Sequence, residues 1–257
     1  MIRANAAWHR GYFEKDTYRA VAELYGKAVQ LDGHDRRALT GLADALVSAV
    51  QDFFSDTPED DLRRAKELVS AALAIDPNYA YAHHIRANIL RFEKQYEEAM
   101  AEYELELALA PHAVIARSHL AGIKIFVGEP AEAIPLLDQA MRISPLNENI
   151  GPIYYRLGFA NLLLGNTDEA IRWSERAVST NYPPQQYTYR SLAAAFALKG
   201  DKTAAQVALA EAIKRKPEWT TIAKVRGQLL DLSDRPKFVE LLDRTMIEGL
   251  RKAGLPE

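Results

Sequence analysis

The chain has no cysteine, which excludes disulfides and thiolate metal sites and fits a reducing cytoplasm, the compartment expected here. It also lacks any run approaching the ~18 apolar residues that cross a bilayer, so no membrane segment is expected. Trp8, His9 and Arg10 arrive before an apolar run can develop, so no signal peptide is expected either. Charge of one sign is not in large excess. A net charge of −3 over 257 residues argues against nucleic acid or an anionic membrane as partner.

The spacings that carry chemistry are missing as well. His83 and His84 are adjacent, so on a helix they diverge by about 100° and cannot share a metal. His112 and His119 stand two turns apart, and no His-Glu-x-x-His arrangement occurs. Gly200, Asp201, Lys202 and Thr203 look superficially like a phosphate loop but lack its earlier glycine. The acids Asp56, Glu59, Asp60 and Asp61 lack the alternation and glycine of a calcium loop. Support for the positive end of a helix explains them more simply. No strand is evident from which a nucleotide-binding glycine loop could spring. The chain is therefore expected not to be an enzyme and to use no metal or cofactor.

What is present is a period. Ala65, Ala99 and Ala133 recur at equal intervals, followed at slightly longer ones by Ala170 and Ala205. Seven residues beyond most of them lies a second small residue: Ala72, Ala140, Ala177 and Ala212. Glycines at 128, 165 and 200 precede the second half of a unit, and prolines at 77, 111, 145, 183 and 217 close the units. Pairs such as Leu120-Ala121 and Leu157-Gly158 set a large apolar residue beside a small one. The large one fills a seam and the small one lets a neighbouring helix approach. Each unit thus reads as two helices joined by a tight turn, with glycine free to take the left-handed conformation that ends the first helix.

These residues resemble the tetratricopeptide-repeat (TPR) pattern over about residues 35 to 218. Tyr154, Leu157, Gly158, Ala170 and Ala177 carry the likeness in one unit. Leu120, Ala121, Gly128, Ala133, Leu137, Ala140 and Pro145 carry it in another. A third has Tyr189, Leu192, Ala193, Gly200, Ala205, Leu209, Ala212 and Pro217. The resemblance implies an all-α, right-handed superhelical solenoid of about six helix–turn–helix units. The units are expected at 35–79, 80–113, 114–147, 148–184 and 185–218. Residues 1–34 read as a degenerate first unit and 219–257 as C-terminal capping helices. Lys94 stands where a turn glycine belongs and Glu106 where a small residue does, which puts the packing of the 80–113 unit in question. About ten extra residues around Phe53 and Phe54 form an insertion. The amphipathic stretch Phe238, Leu241, Leu242, Met246 and Leu250 reads as a lid over the last full unit and Trp219.

The resemblance further implies that the first helix of each unit lines a concave groove for a protein or peptide ligand. Projecting away from the seam, the groove candidates are Arg37, Asp44, Tyr81, His84, Asn88 and Arg91. Further along come Phe126, Tyr155, Phe159, Tyr187 and Arg190, with Ile115 and Ile125 beside them. This aromatic and cationic mixture suits a peptide with apolar and acidic groups, although aromatics such as Phe126 and Phe159 could equally pack between units. A narrower likeness concerns the ends. Gly249 to Glu257, and Arg10 to Phe13 with Gly41 to Ala45, are similar to segments of bacterial class III adenylate/guanylate cyclases with C-terminal TPR arrays and of related winged-helix regulators. That similarity implies an interaction or regulatory role beside an attached cyclase or winged-helix effector domain in a signalling protein. The rival reading is a homo-oligomerisation scaffold that self-associates through Phe53 and Phe54 or through the last helix. Because helices meet most closely at the repeat alanines, Ala133→Leu or Ala170→Leu should destabilise by about 1–3 kcal/mol through overpacking. Thermal melts unchanged in both variants would contradict this register.

Overall fold

The computed structural model of the chain describes residues 15–52, 54–145, 150–180 and 185–257. Phe53, Pro183 and the segment from Trp8 to Phe13 lie outside the described residues. Within them all regular structure is helical, and the chain divides into two compact units, Met1–Pro111 and His112–Glu257. The N-terminal unit holds α1 (Lys15–Leu31), α2 (Arg36–Gln51), α3 (Pro58–Ile75), α4 (Ala80–Phe92) and α5 (Tyr96–Leu109). The C-terminal unit opens with α6 (Val114–Phe126), α7 (Pro130–Ile143), α8 (Ile150–Leu163) and α9 (Thr167–Ser179). It continues with α10 (Gln185–Lys199), α11 (Lys202–Arg215) and α12 (Ile222–Leu232). A last helix follows as α13 (Pro236–Leu242), a π turn (Asp243–Ile247) and α14 (Glu248–Ala253), which run on without a break in helical backbone.

Local chemistry sets the helix ends. Asp35, Asp201 and Thr221 accept backbone N–H bonds at the starts of α2, α11 and α12, and Pro58, Pro130 and Pro236 sit in first turns where no donor is needed. Between paired helices Gly128, Gly165 and Gly200 all have positive φ. Lys94 adopts φ of 59° at the equivalent place. The N–H of Gln95 bonds the Leu90 carbonyl at 2.9 Å, just as that of Glu129 bonds Lys124. A lysine therefore makes the same turn as glycine there, at the modest cost of a left-handed non-glycine residue.

The repeat alanines lie where the seams close. Ala65, Ala99, Ala133, Ala170 and Ala205 are all buried, and each helix pair packs through them. In the C-terminal unit the first helices also touch one another, α6 with α8 and α8 with α10, while the second helices stand further apart. The first helices accordingly line the inner side of that unit's curve. In the N-terminal unit α2 and α4 approach in the same way. The insertion after α2 serves α1: Tyr18 donates to Asp52, its ring lies 5.6 Å from that of Phe54, and Lys15 pairs with Asp56 at 2.5 Å.

The last helix is more than a lid on the final pair. Its chain enters beside the end of α6, where Ser233 Oγ donates to the Phe126 carbonyl at 2.6 Å. It crosses α8 at the π turn and finishes on α10 and α11. Phe238, Leu242, Met246 and Leu250, spaced by one turn, are each fully buried, a stripe worth roughly 1.5–3 kcal/mol per side chain. The end is pinned by the Ile222 N–H on the Pro256 carbonyl, with Gly254 at φ 99° closing the helix. At Gly249 a Cβ would fall 2.6 Å from the Ala194 carbonyl oxygen, so the two backbones are in contact. Gly227 in α12 has nothing within 4 Å of its Cβ direction. Gly249→Ala should therefore lower stability by about 1–3 kcal/mol, and Gly227→Ala should raise it by up to about 1 kcal/mol. Denaturant midpoints that move together in the two variants would contradict the seating of this helix.

Candidate partner-binding site

The inner helices carry the groove residues, and the two units treat them differently. In the C-terminal unit the face is closed by the chain itself. Phe126 and Phe159 each meet the ring of Phe238 edge-on, at 5.9 and 6.5 Å. Tyr155 stacks on Phe159 at 6.2 Å, and its hydroxyl bonds Arg190. Arg190 is 2% exposed, lodged over the rings of Tyr187 and Trp219 at 5.4 and 4.7 Å. Burial pulls its guanidinium pKa down and pushes the Tyr155 hydroxyl up. Phe159 and Arg190 thus belong to a core, and Phe126, Tyr155 and Tyr187 are half-buried against it. The expectation that these five line an open groove fails for a steric reason: the closing helix and Trp219 occupy the space.

In the N-terminal unit the corresponding face is polar. The small residue of the first helices is Ala43, Ala87, Ala121, Gly158 and Ala193 in turn, and the residue after it is Asp44, Asn88, Gly122, Phe159 and Ala194. Phe159 and Ala194 seat the closing helix, whereas Asp44 and Asn88 hold a hydrogen-bonded cluster. Tyr81 Oη donates to Asp44 Oδ2 at 2.6 Å, and Ser48 supplies a second bond. The Tyr81 ring lies parallel to that of His84 with centroids 5.9 Å apart, and His84 is edge-on to Tyr103. His84 Nδ1 meets Glu106 Oε2 at 2.8 Å, both groups buried. Tyr103 donates to Asn88 Oδ1 at 2.6 Å. Behind them His83 lies between Glu102 Oε2 and the Pro77 carbonyl.

The residue that broke the repeat pattern is therefore a member of this cluster. Glu106 occupies a small-residue position because His84 faces it, and the 80–113 unit trades an apolar seam for a buried polar pair. Sequence reading marked Glu106 only as a departure from the repeat, without assigning it to this face, and did not single out Tyr103. Arg37 is exposed and pairs with its own helix cap, Asp35, at 3.6 Å. Arg91 is half-buried, 5.5 Å from the Phe92 ring, with Nε and Nη2 lacking a hydrogen-bond partner. Tyr81 remains 39% exposed. Burial pushes the Asp44 carboxyl up, and burial beside Asp44 pushes the Tyr81 hydroxyl well up. Among the described residues no group of histidines and acids is arranged to hold a metal, and no helix is long and apolar enough to cross a membrane.

Comparison with known proteins agrees with this architecture. A tetratricopeptide-repeat family model matches residues 151–182, which span α8 and α9. The crystal structure of PilW, a widely conserved type IV pilus biogenesis factor, is 17% identical with a TM-score of 0.60, covering 82% of this chain and 97% of that one. YrrB, a TPR protein with an unusual peptide-binding site, is 22% identical with a TM-score of 0.56, covering 80% and 98%. PilF of Pseudomonas aeruginosa is 15% identical with a TM-score of 0.63, covering 88% and 96%. No curated protein matches the sequence. The fold is that of a TPR-type α-solenoid.

A raised carboxyl pKa has a definite sign for stability. Asp44 binds its proton more tightly folded than unfolded, so its contribution is complete below the ordinary carboxyl value of about 4 and is lost as pH rises through the folded pKa. Asp44→Asn should therefore melt higher than the parent at pH 7, with the difference vanishing below pH of about 4. Identical melting temperatures at both pH values would contradict the burial of this carboxylate.

Proposed function

We propose that the chain is a protein- or peptide-binding scaffold whose docking face is the inner surface of α2 and α4, bearing Arg37, Asp44, Tyr81, His84, Asn88 and Arg91. The observation that carries this reading is the contrast between equivalent positions. Phe159 and Ala194 are consumed by the closing helix, while Asp44 and Tyr81 are held in place by hydrogen bonds and stay partly open. A pre-ordered polar and aromatic face suits recognition, because little side-chain entropy is lost on docking. YrrB, built on the same fold, has a peptide-binding site, which supports a similar use of the fold here. A cytoplasmic location accords with the absence of cysteine.

The finer reading, a regulatory part of a bacterial cyclase-type signalling protein with an attached cyclase or winged-helix domain, is supported by the similarity of residues 249–257 and of the short early segments. Self-association has less support. Phe54 is engaged with Tyr18, and the apolar stripe of the last helix is buried within its own unit.

Affinity capture with the intact chain as bait tests the docking face. Tyr81→Ala should lose the proteins that the parent retains, with helicity preserved, whereas Arg172→Glu on α9 should retain them. Undiminished capture by Tyr81→Ala would refute the assignment of this face.

A further inference from the structure

The overall charge of −3 conceals a division between the two units. Residues 1–111 carry 13 Lys and Arg against 19 Asp and Glu, a net of −6. Residues 112–257 carry 19 against 16, a net of +3. The acidic unit is the one whose inner face carries Asp44 and Tyr81. On that face Asp44 receives hydrogen bonds from Tyr81 and Ser48, and the neighbouring His84 is already bonded to Glu106. Among the described residues no lysine or arginine pairs with Asp44. Arg37 is engaged by Asp35, and Arg86 by Glu102 at 3.3 Å.

A carboxylate kept partly out of water without a cation is unfavourable for the free protein. Beside it the exposed Tyr81 ring, backed by His84, presents a π face. Aromatic face and carboxylate together favour a cation: the face attracts it by its quadrupole and the carboxylate by charge-assisted hydrogen bonds. The same helix positions in the C-terminal unit receive a helix of the chain itself, so this register is a seat for another segment.

We propose that the inner face of α2 and α4 docks a basic partner peptide, with a lysine or arginine side chain held between the Asp44 carboxylate and the Tyr81 ring. This inference rests on the docking face assigned above and reverses the acidic partner expected from the groove arginines. Of the cationic candidates, Arg190 is sealed in a core, Arg37 pairs with its own cap, and Arg91 is half-buried beside the Phe92 ring and forms no pair with Asp44.

Fluorescence anisotropy with labelled peptides of one length and one apolar composition tests it on the intact chain. The variable positions hold lysine and arginine, glutamine, or glutamate in three sets. The basic set should bind, weaken with added salt, and bind about tenfold more weakly to Asp44→Asn. That variant keeps an acceptor for the Tyr81 hydroxyl and removes only the charge. Tyr81→Ala should weaken binding to a similar degree, and provides a second reading should Asp44→Asn fold poorly. Preference for the glutamate set, or equal affinity of the parent and both variants for the basic set, would overturn the charge assignment while leaving a docking face. Absence of binding by all three sets would overturn the docking face itself.

Discussion

The contact between the last helix and the inner helices of the C-terminal unit governs what that unit can do. Phe238 enters between Phe126 and Phe159, and Gly249 brings the helix backbone against Ala194. Four buried side chains one turn apart, with two backbones in contact, form a core rather than a reversible cover. A solenoid unit must bury the apolar surface that stacking leaves exposed. Here the closing helix does so on the inner side as well as at the end, and the groove that the repeat would otherwise offer is filled.

That closure gives the polar departures of the N-terminal unit their meaning. His84 with Glu106, and Tyr103 with Asn88, are buried hydrogen-bonded pairs, and Glu106 and Tyr103 stand at positions where the repeat elsewhere carries small or apolar residues. Each is satisfied, so the face is rigid at little net cost. Asp44 is the exception, a carboxylate with hydroxyl partners and no counter-cation. Such local inconsistency in an otherwise regular repeat is expected where function competes with stability.

Much of the architecture could be read from spacing. The recurring alanines located every seam from Ala65 to Ala205, and the glycines at 128, 165 and 200 located the turns, because close approach and positive φ each demand a residue type. Lys94 shows the limit of that inference: the turn bond from Gln95 to Leu90 forms without a glycine. The stripe from Phe238 to Leu250 announced a buried face but not its partner, since helical periodicity reports burial and is silent on what does the burying. Phe126 and Phe159 were ambiguous for the same reason. The division of charge was present in the sequence all along and cancelled in the total.

The central claim is that binding uses the open face of α2 and α4 while the closed face of α6, α8 and α10 stays shut. Hydrogen exchange of backbone amides, with and without a lysine-containing peptide, tests this most directly. The account predicts new protection confined to residues 37–91, with residues 236–253 exchanging slowly and equally in both states. Faster exchange across 236–253, together with new protection in α8 and α10, would show that the closing helix yields to the ligand and would contradict it.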